Sequence, residues 1–256
     1  MTKGTMPHTL ESPTIKVSHL IQGYGKRVML RNIDCEVRHG EIVALIGPSG
    51  SGKTTLISTI MGMMPPKSGT VQALGTPMPD RTMLGNIGFM AQTDALYTNL
   101  SGLENLRFFA SLQHVRGKHF NDAALRAASV VHLDHALSNR VSHYSGGMKR
   151  RLSMAIALIG DPPILILDEP TVGIDPQLRR ELWNELHRIA DQGRSILLTT
   201  HVMADAAQAD TLMMIRQGRA IAQGSPTAVK NLYQATSIED AFIEAGKEQD
   251  ANHSND

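Results

Sequence analysis

The residues best suited to chemistry on a phosphate lie early in the chain, in the string GPSGSGKT from Gly47 to Thr54. It fits the spacing G-x-x-x-x-G-K-[ST]. Glycine-rich backbone of this kind can close its N–H groups around phosphate oxygens, and a following helix adds the positive end of its dipole. The pattern makes Gly47, Pro48, Ser49, Gly50, Ser51 and Gly52 the cradle, with Thr55 just beyond. It sends Lys53 to the β- and γ-phosphates and Thr54 to Mg²⁺. An ordinary glycine-rich turn is the bland alternative. The setting disfavours it, because an apolar run, IVALI, leads directly into the string and a helical pattern leads out.

A second string, ILILDEP, ends an apolar strand in two carboxylates. Asp168 at such a tip suits an acid that organises a metal, directly or through water, and Glu169 is placed to polarise an attacking water. Alone, two neighbouring acids at a strand end read as a solvated turn. Downstream of a phosphate loop they read as machinery for transferring a phosphoryl group to water.

The third string is YSGGMKRRL, from Tyr144 to Leu152. Here the chain resembles the nucleotide-binding subunit of an ABC transporter, whose signature loop, usually LSGGQ, is matched by Ser145, Gly146 and Gly147. In that family two subunits pair head to tail, and each ATP lies between one subunit's phosphate loop and the other's signature. The resemblance extends over residues 15–243. Gln92, at the end of IGFMAQ, resembles the glutamine that senses Mg²⁺ and the attacking water. Asp175, in TVGID, resembles the loop by which each subunit reports to its partner. His201, after SILLTT, resembles the switch histidine at the γ-phosphate, and Tyr24, in QGYGKR, stands where the family stacks a ring on adenine. Taken singly, a strand-end histidine is often structural and a tyrosine between glycines is often loop packing. Met148 and Tyr144 depart from the signature's glutamine and leucine, but neither change removes Ser145 or the glycine amides. The forms YSGGM, LYTNLSGLENL and SIEDAFI resemble the exporter branch that works with ABC-2-type permeases.

These residues need a scaffold. Apolar runs at 15–20, 33–37, 42–46, 70–73, 87–91, 164–167, 196–199 and 211–215 read as strands, with a hairpin closing through 219–222 and a helix over 53–64. From 92 to about 160 only helical spacing recurs, including Leu103, Leu106, Phe109 and Ala110. The expected fold is therefore α/β: a P-loop NTPase core with a mixed sheet and helices, an N-terminal antiparallel β subdomain and an inserted helical subdomain. The boundaries follow as a flexible 1–13, a core of 14–92 and 161–245, a helical insertion at 93–160 carrying the signature, and a flexible tail at 246–256. That tail, GKEQDANHSND, holds no large apolar side chain. Lys149, Arg150 and Arg151 read as a solvated helix face, His132 and His135 as surface residues, and Cys35 as inert core.

Composition narrows the classes further. The 256 residues carry 25 Lys and Arg against 24 Asp and Glu, a net charge of +1, so no nucleic-acid partner is expected. A single cysteine excludes an internal disulfide and any cysteine-based metal site. No apolar stretch nears the ~20 residues that span a bilayer, nor does the first dozen residues hold a signal-peptide core. The resemblance implies an ATP- and Mg²⁺-dependent ATPase on the cytoplasmic face of the membrane, peripheral and paired with a second ATPase subunit as a homodimer or with a sister chain. A separate integral-membrane permease would dock near residues 92–100. An importer ATPase subunit, a soluble ABC ATPase acting on ribosomes or DNA, and a binding-only regulatory subunit are the alternatives. The transported substance is not written in this chain.

Overall fold

The computed structural model describes residues 12–113 and 115–253. The chain begins with an antiparallel hairpin, β1 (Ile15–Tyr24) and β2 (Arg27–Val37), and β1 also pairs with β4 (Ser68–Ala73), which in turn pairs with β5 (Thr76–Pro77). The hairpin runs longer than the alternation alone predicts, carrying Tyr24 to its tip opposite Arg27.

A second sheet of six strands holds the core. Its order is β10-β9-β3-β8-β7-β6, built from β3 (Ile42–Ile46), β6 (Ile87–Met90), β7 (Ile164–Asp168), β8 (Ser195–Thr200), β9 (Thr211–Arg216) and β10 (Arg219–Gly224). All neighbours run parallel except β9 and β10, which form the expected hairpin. Parallel strands covered on both faces read as continuous apolar runs, as IVALI and ILILD do.

Side chains alternate between two apolar layers. Val43, Leu45, Ile164, Ile166, Leu197 and Met213 pack toward the antiparallel sheet and α1 (Lys53–Ile60). Ile42, Ala44, Ile46, Leu165, Leu167 and Leu198 face the other way, toward α2 (Gly102–Leu112), α3 (Lys118–Val130), α4 (Gly146–Leu158) and α5 (Pro176–Asp191). Helices α2, α3 and α4 all fall between β6 and β7, where helical spacing alone recurs in the sequence. The chain closes with α6 (Met203–Ala206), α7 (Pro226–Leu232) and α8 (Ile238–His253).

Two expectations need correction. Helix α1 ends at Ile60 rather than 64, because Gly62 takes φ 68° and Pro65-Pro66 cannot continue a helix. The tail expected to be flexible from 246 is instead helical through His253. Arg216 holds it, donating to Gly246 O at 2.7 Å and to both carboxylate oxygens of Asp250 at 2.7 and 2.9 Å. The stretch expected to be flexible at the N-terminus lies almost wholly outside the described residues.

Candidate active site

The loop from Gly47 to Gly52 leaves the C-terminal end of β3, a central strand, and enters α1 at Lys53. Ligands of open α/β sheets bind at this carboxyl edge. Gly47 is irreplaceable on geometry: its φ is 158° and an added Cβ would lie 2.1 Å from Ile215 O. Beside the loop is a cavity of about 160 Å³. Ser49, Gly50, Gly52, Lys53, Thr54 and Thr55 line it from the loop and α1, Gln92 from the end of β6, and Asp168 and Glu169 from the end of β7. Three segments far apart in sequence thus deliver their polar groups to one space. A larger cleft, about 300 Å³ between α3 and α5, contains none of these residues.

Two features suit the loop to an anion. Lys53 Nζ donates to Gly47 O at 2.7 Å and Pro48 O at 3.1 Å. Burial pushes its pKa below the usual lysine range, while the charges of Glu169 and Asp168 pull it back up. An ammonium held only by carbonyls in such a place gains from a phosphate oxygen. Ser51 Oγ is buried with no hydrogen-bond partner, an uncommon cost in a folded protein. Among the described residues no cluster of three His, Cys, Asp or Glu could hold a metal. The cavity itself offers the Asp168 carboxylate and the Thr54 hydroxyl, a sparse oxygen set of the kind Mg²⁺ takes when substrate phosphates complete its shell.

The two carboxylates differ in environment. Asp168 is 4% exposed, and burial pushes its carboxyl above the usual range; the Thr199 hydroxyl, Arg150 and Lys53 oppose that shift. Glu169 follows it with φ 54°, in the left-handed region, which turns the chain out of the strand. Its N–H donates to Thr199 Oγ1 at 3.0 Å and to Thr199 O at 3.2 Å. The Thr199 hydroxyl in turn donates to Asp168 Oδ1. Thr199, absent from the sequence-derived site, therefore fixes both acids. Its signal was positional: β7 and β8 run parallel in a register that sets Thr199 beside Asp168, two residues before His201. His201 Nδ1 reaches Glu169 Oε1 at 3.2 Å.

Arg150 corrects the sequence reading most sharply. It is no part of a solvated face but is 6% exposed. It donates to Ala91 O and Gln92 O at 2.8 and 2.9 Å, to Glu169 O at 2.8 and 3.2 Å, and to Asp168 O. Its Nη1 also lies 3.4 Å from Asp94 Oδ1. Arg151, half-buried, donates to Val131 O and His132 O at 3.1 and 2.7 Å.

Other expected residues lie outside the cavity. Tyr24 is 54% exposed at the hairpin tip. Ser145 caps α4, its hydroxyl accepting from Met148 N at 3.2 Å, with Gly146 and Gly147 forming the first turn. Gly147 abuts the turn that carries Asp175: an added Cβ would sit 3.0 Å from Gly173 O. Asp175 itself caps α5, accepting from Leu178 N at 3.0 Å. Tyr144, in the place of the usual leucine, is buried and donates its hydroxyl to Ala136 O at 2.7 Å, so a polar tip is accommodated inside the helical layer.

Comparison with known proteins agrees with this geometry. The profile of the family described as ABC transporter matches residues 30–172. The Nod factor export ATP-binding protein I of Rhizobium meliloti is 37% identical over 227 residues, 88% of this chain and 68% of that protein. The probable multidrug ABC transporter ATP-binding protein YbhF of Escherichia coli (strain K12) is 32% identical over 264 residues, covering 99% of this chain but 46% of its own length. A solved ATP-binding subunit of an ABC transporter superposes with a TM-score of 0.84 at 28% identity, covering 91% of this chain and 99% of that one.

Proposed function

This chain belongs to the ABC transporter family, and on that premise we propose that it is the ATP-hydrolysing motor of an ABC-2-type exporter, docked on a separate membrane permease. The observation that carries the reading is the convergence of Lys53, Thr54, Gln92, Asp168 and Glu169 on one cavity beside the Gly47–Gly52 loop.

In this reading ATP is the substrate. The loop's backbone and Lys53 bind its β- and γ-phosphates, and Glu169 orients the attacking water and draws off its proton. His201 holds the Glu169 carboxylate in place, and Thr199 fixes the backbone from which it projects. Mg²⁺, held by Thr54, Asp168 and Gln92, supplies positive charge against the phosphates when bound. Ser145, Gly146 and Gly147, with Asp175, lie outside their own chain's cavity; in the head-to-tail pair that family membership implies, they serve the ATP of a second subunit. Tyr24, exposed at its hairpin tip, is free to stack on adenine.

Docking on a permease is supported by an exposed aromatic group built around Tyr97, shortly after Gln92 in the chain. Tyr97 is 48% exposed and stacks edge-on against Phe108, the ring centroids 4.8 Å apart. Among the described residues no helix is long and apolar enough to cross a membrane; in this reading the permease provides the attachment. Export follows the relatives, whose names describe Nod factor export and multidrug transport.

The test has two arms. Purified protein should hydrolyse ATP only with Mg²⁺, and Lys53→Ala should abolish turnover. Glu169→Gln protein, expressed with ATP present and recovered from gently solubilised membranes, should bring down a polytopic protein that lacks its own ATPase domain. Recovery solely with ribosomal or DNA-bound partners would sink the transport claim and leave the ATPase standing.

A further inference from the structure

The ladder between β6 and β7 stops at the pair Met90–Leu167. Beyond it the two strands carry Gln92 and Glu169 into the cavity, and their next carbonyls have no strand partner across the gap. One guanidinium takes them up. Arg150, one turn into the helix that Ser145 caps, donates to the carbonyls of Ala91 and Gln92 on one side and of Asp168 and Glu169 on the other. Asp94 supplies the counter-charge at 3.4 Å, and its same oxygen accepts from Ser153 Oγ at 2.7 Å, one helical turn further along α4. The side chain is 7% exposed, so this charge is satisfied from within. A buried arginine left unmatched would be strongly unfavourable, and here carbonyl oxygens and one carboxylate meet it.

Resting on the hydrolysis reading above, we infer that Arg150 is a positioning residue: it sets the separation of Gln92 from Glu169 and ties both to the signature helix α4. The planar fork reaches two strand ends at once, which a single ammonium cannot reproduce. Because Ser145 caps α4, a contact made there by the partner's nucleotide is transmitted through the helix and this one side chain to this chain's own water-activating acid. Arg150 is not among the residues that line the cavity; it acts through the backbone of Gln92, Asp168 and Glu169, which are.

Arg150→Lys is the discriminating variant, since it keeps the buried charge and loses the fork. The expected result is a fall in kcat of about 10- to 100-fold, the scale of a sub-ångström to ångström displacement of reacting groups. Affinity for a fluorescent ATP analogue should stay within about twofold, because the Lys53 loop is untouched. In a Gln92→Ala background the same change should cost much less, as expected for residues that act together. Wild-type kcat in a folded Arg150→Lys protein would overturn the inference. So would parallel losses of kcat and nucleotide affinity, or full additivity with Gln92→Ala, either of which marks a general packing role. Wild-type protein assayed alongside separates the two claims. If it binds but does not hydrolyse ATP, the hydrolysis reading fails and this inference with it; if it turns over and Arg150→Lys matches it, the inference alone fails.

Discussion

His201 Nδ1 lies 3.2 Å from Glu169 Oε1, joining the residue that follows β8 to the one that follows β7. The histidine is 57% exposed and the glutamate 16%, so solvent screens the pair and its contribution to stability is small. Its consequence is orientation: Glu169 is fixed from behind by Thr199 and from the front by His201.

Glu169→Gln should therefore retain nucleotide binding and lose hydrolysis, by about 10²- to 10⁴-fold, the usual worth of a positioned base. His201→Ala should fall in the same direction, and the double variant should be little worse than Glu169→Gln alone. Phosphate release and analogue binding, measured on the same preparations, decide it. Undiminished turnover in Glu169→Gln protein would remove the glutamate from the reaction.

Asp168 sets function against stability. Burial raises its carboxyl pKa in the fold, so the ionised form is disfavoured there relative to the unfolded chain. A raised carboxylate contributes stability below its unfolded pKa and loses it as pH rises through the folded one. At neutral pH the ionised group is thus a net cost in the nucleotide-free protein. Asp168→Asn should raise the thermal midpoint at pH 7 and abolish Mg²⁺-dependent turnover, and the gap in midpoint should shrink toward acid. A midpoint lowered by the substitution at pH 7 would show that the neighbours, not burial, control this group.

The motif residues of the cavity could be read from the sequence because they follow the ends of buried strands, where an apolar run stops abruptly at a polar group. IVALI before Gly47 and ILILD before Glu169 are of that kind, and the sheet brings their ends together. Arg150 was hidden because three consecutive basic residues give no hydropathy contrast. The available signal was helical phase: Arg150, Ser153, Met154 and Ala157 recur at positions i, i+3, i+4 and i+7, and all are buried. The tail was misread for a related reason. Among its described residues the buried ones are Gly246 and Gln249, the latter continuing the four-residue spacing of Ala241 and Ala245 earlier in α8, and neither carries a large apolar side chain. Thr199 lay inside an apolar strand and was legible only through the register of its neighbour.

Thr199→Val tests that hidden residue directly. The threonine is fully buried, and its hydroxyl both donates to Asp168 and accepts from Glu169 N–H. Valine keeps the shape and removes both bonds, leaving buried polar groups short of a partner, at a cost of about 1–3 kcal/mol. Turnover should fall by more than stability explains, since Asp168 and Glu169 both lose their anchor, and Thr199→Ser should restore most of each. Urea unfolding and steady-state kinetics on the three proteins separate these effects. A Thr199→Val protein with wild-type kcat would reduce the residue to packing.

Cys35 offers a probe of the whole fold. It is the one cysteine of the chain, 1% exposed on β2 against the apolar layer below the central sheet. Burial, helped by the charges of Glu41 and Glu36, pushes its thiol up to about 12. Since the thiolate is the reactive form, the native protein should resist alkylation at pH 8, and labelling should proceed only through unfolding. A ligand that binds the folded state alone suppresses that opening by a factor of one plus the ratio of its free concentration to its Kd, so Mg-ATP at 100 times its dissociation constant should slow labelling of the Glu169→Gln protein about 100-fold. The hydrolysis-deficient background keeps the nucleotide intact during the measurement. Labelling that is fast in native buffer and indifferent to Mg-ATP would mean that β2 opens locally, independently of the nucleotide site.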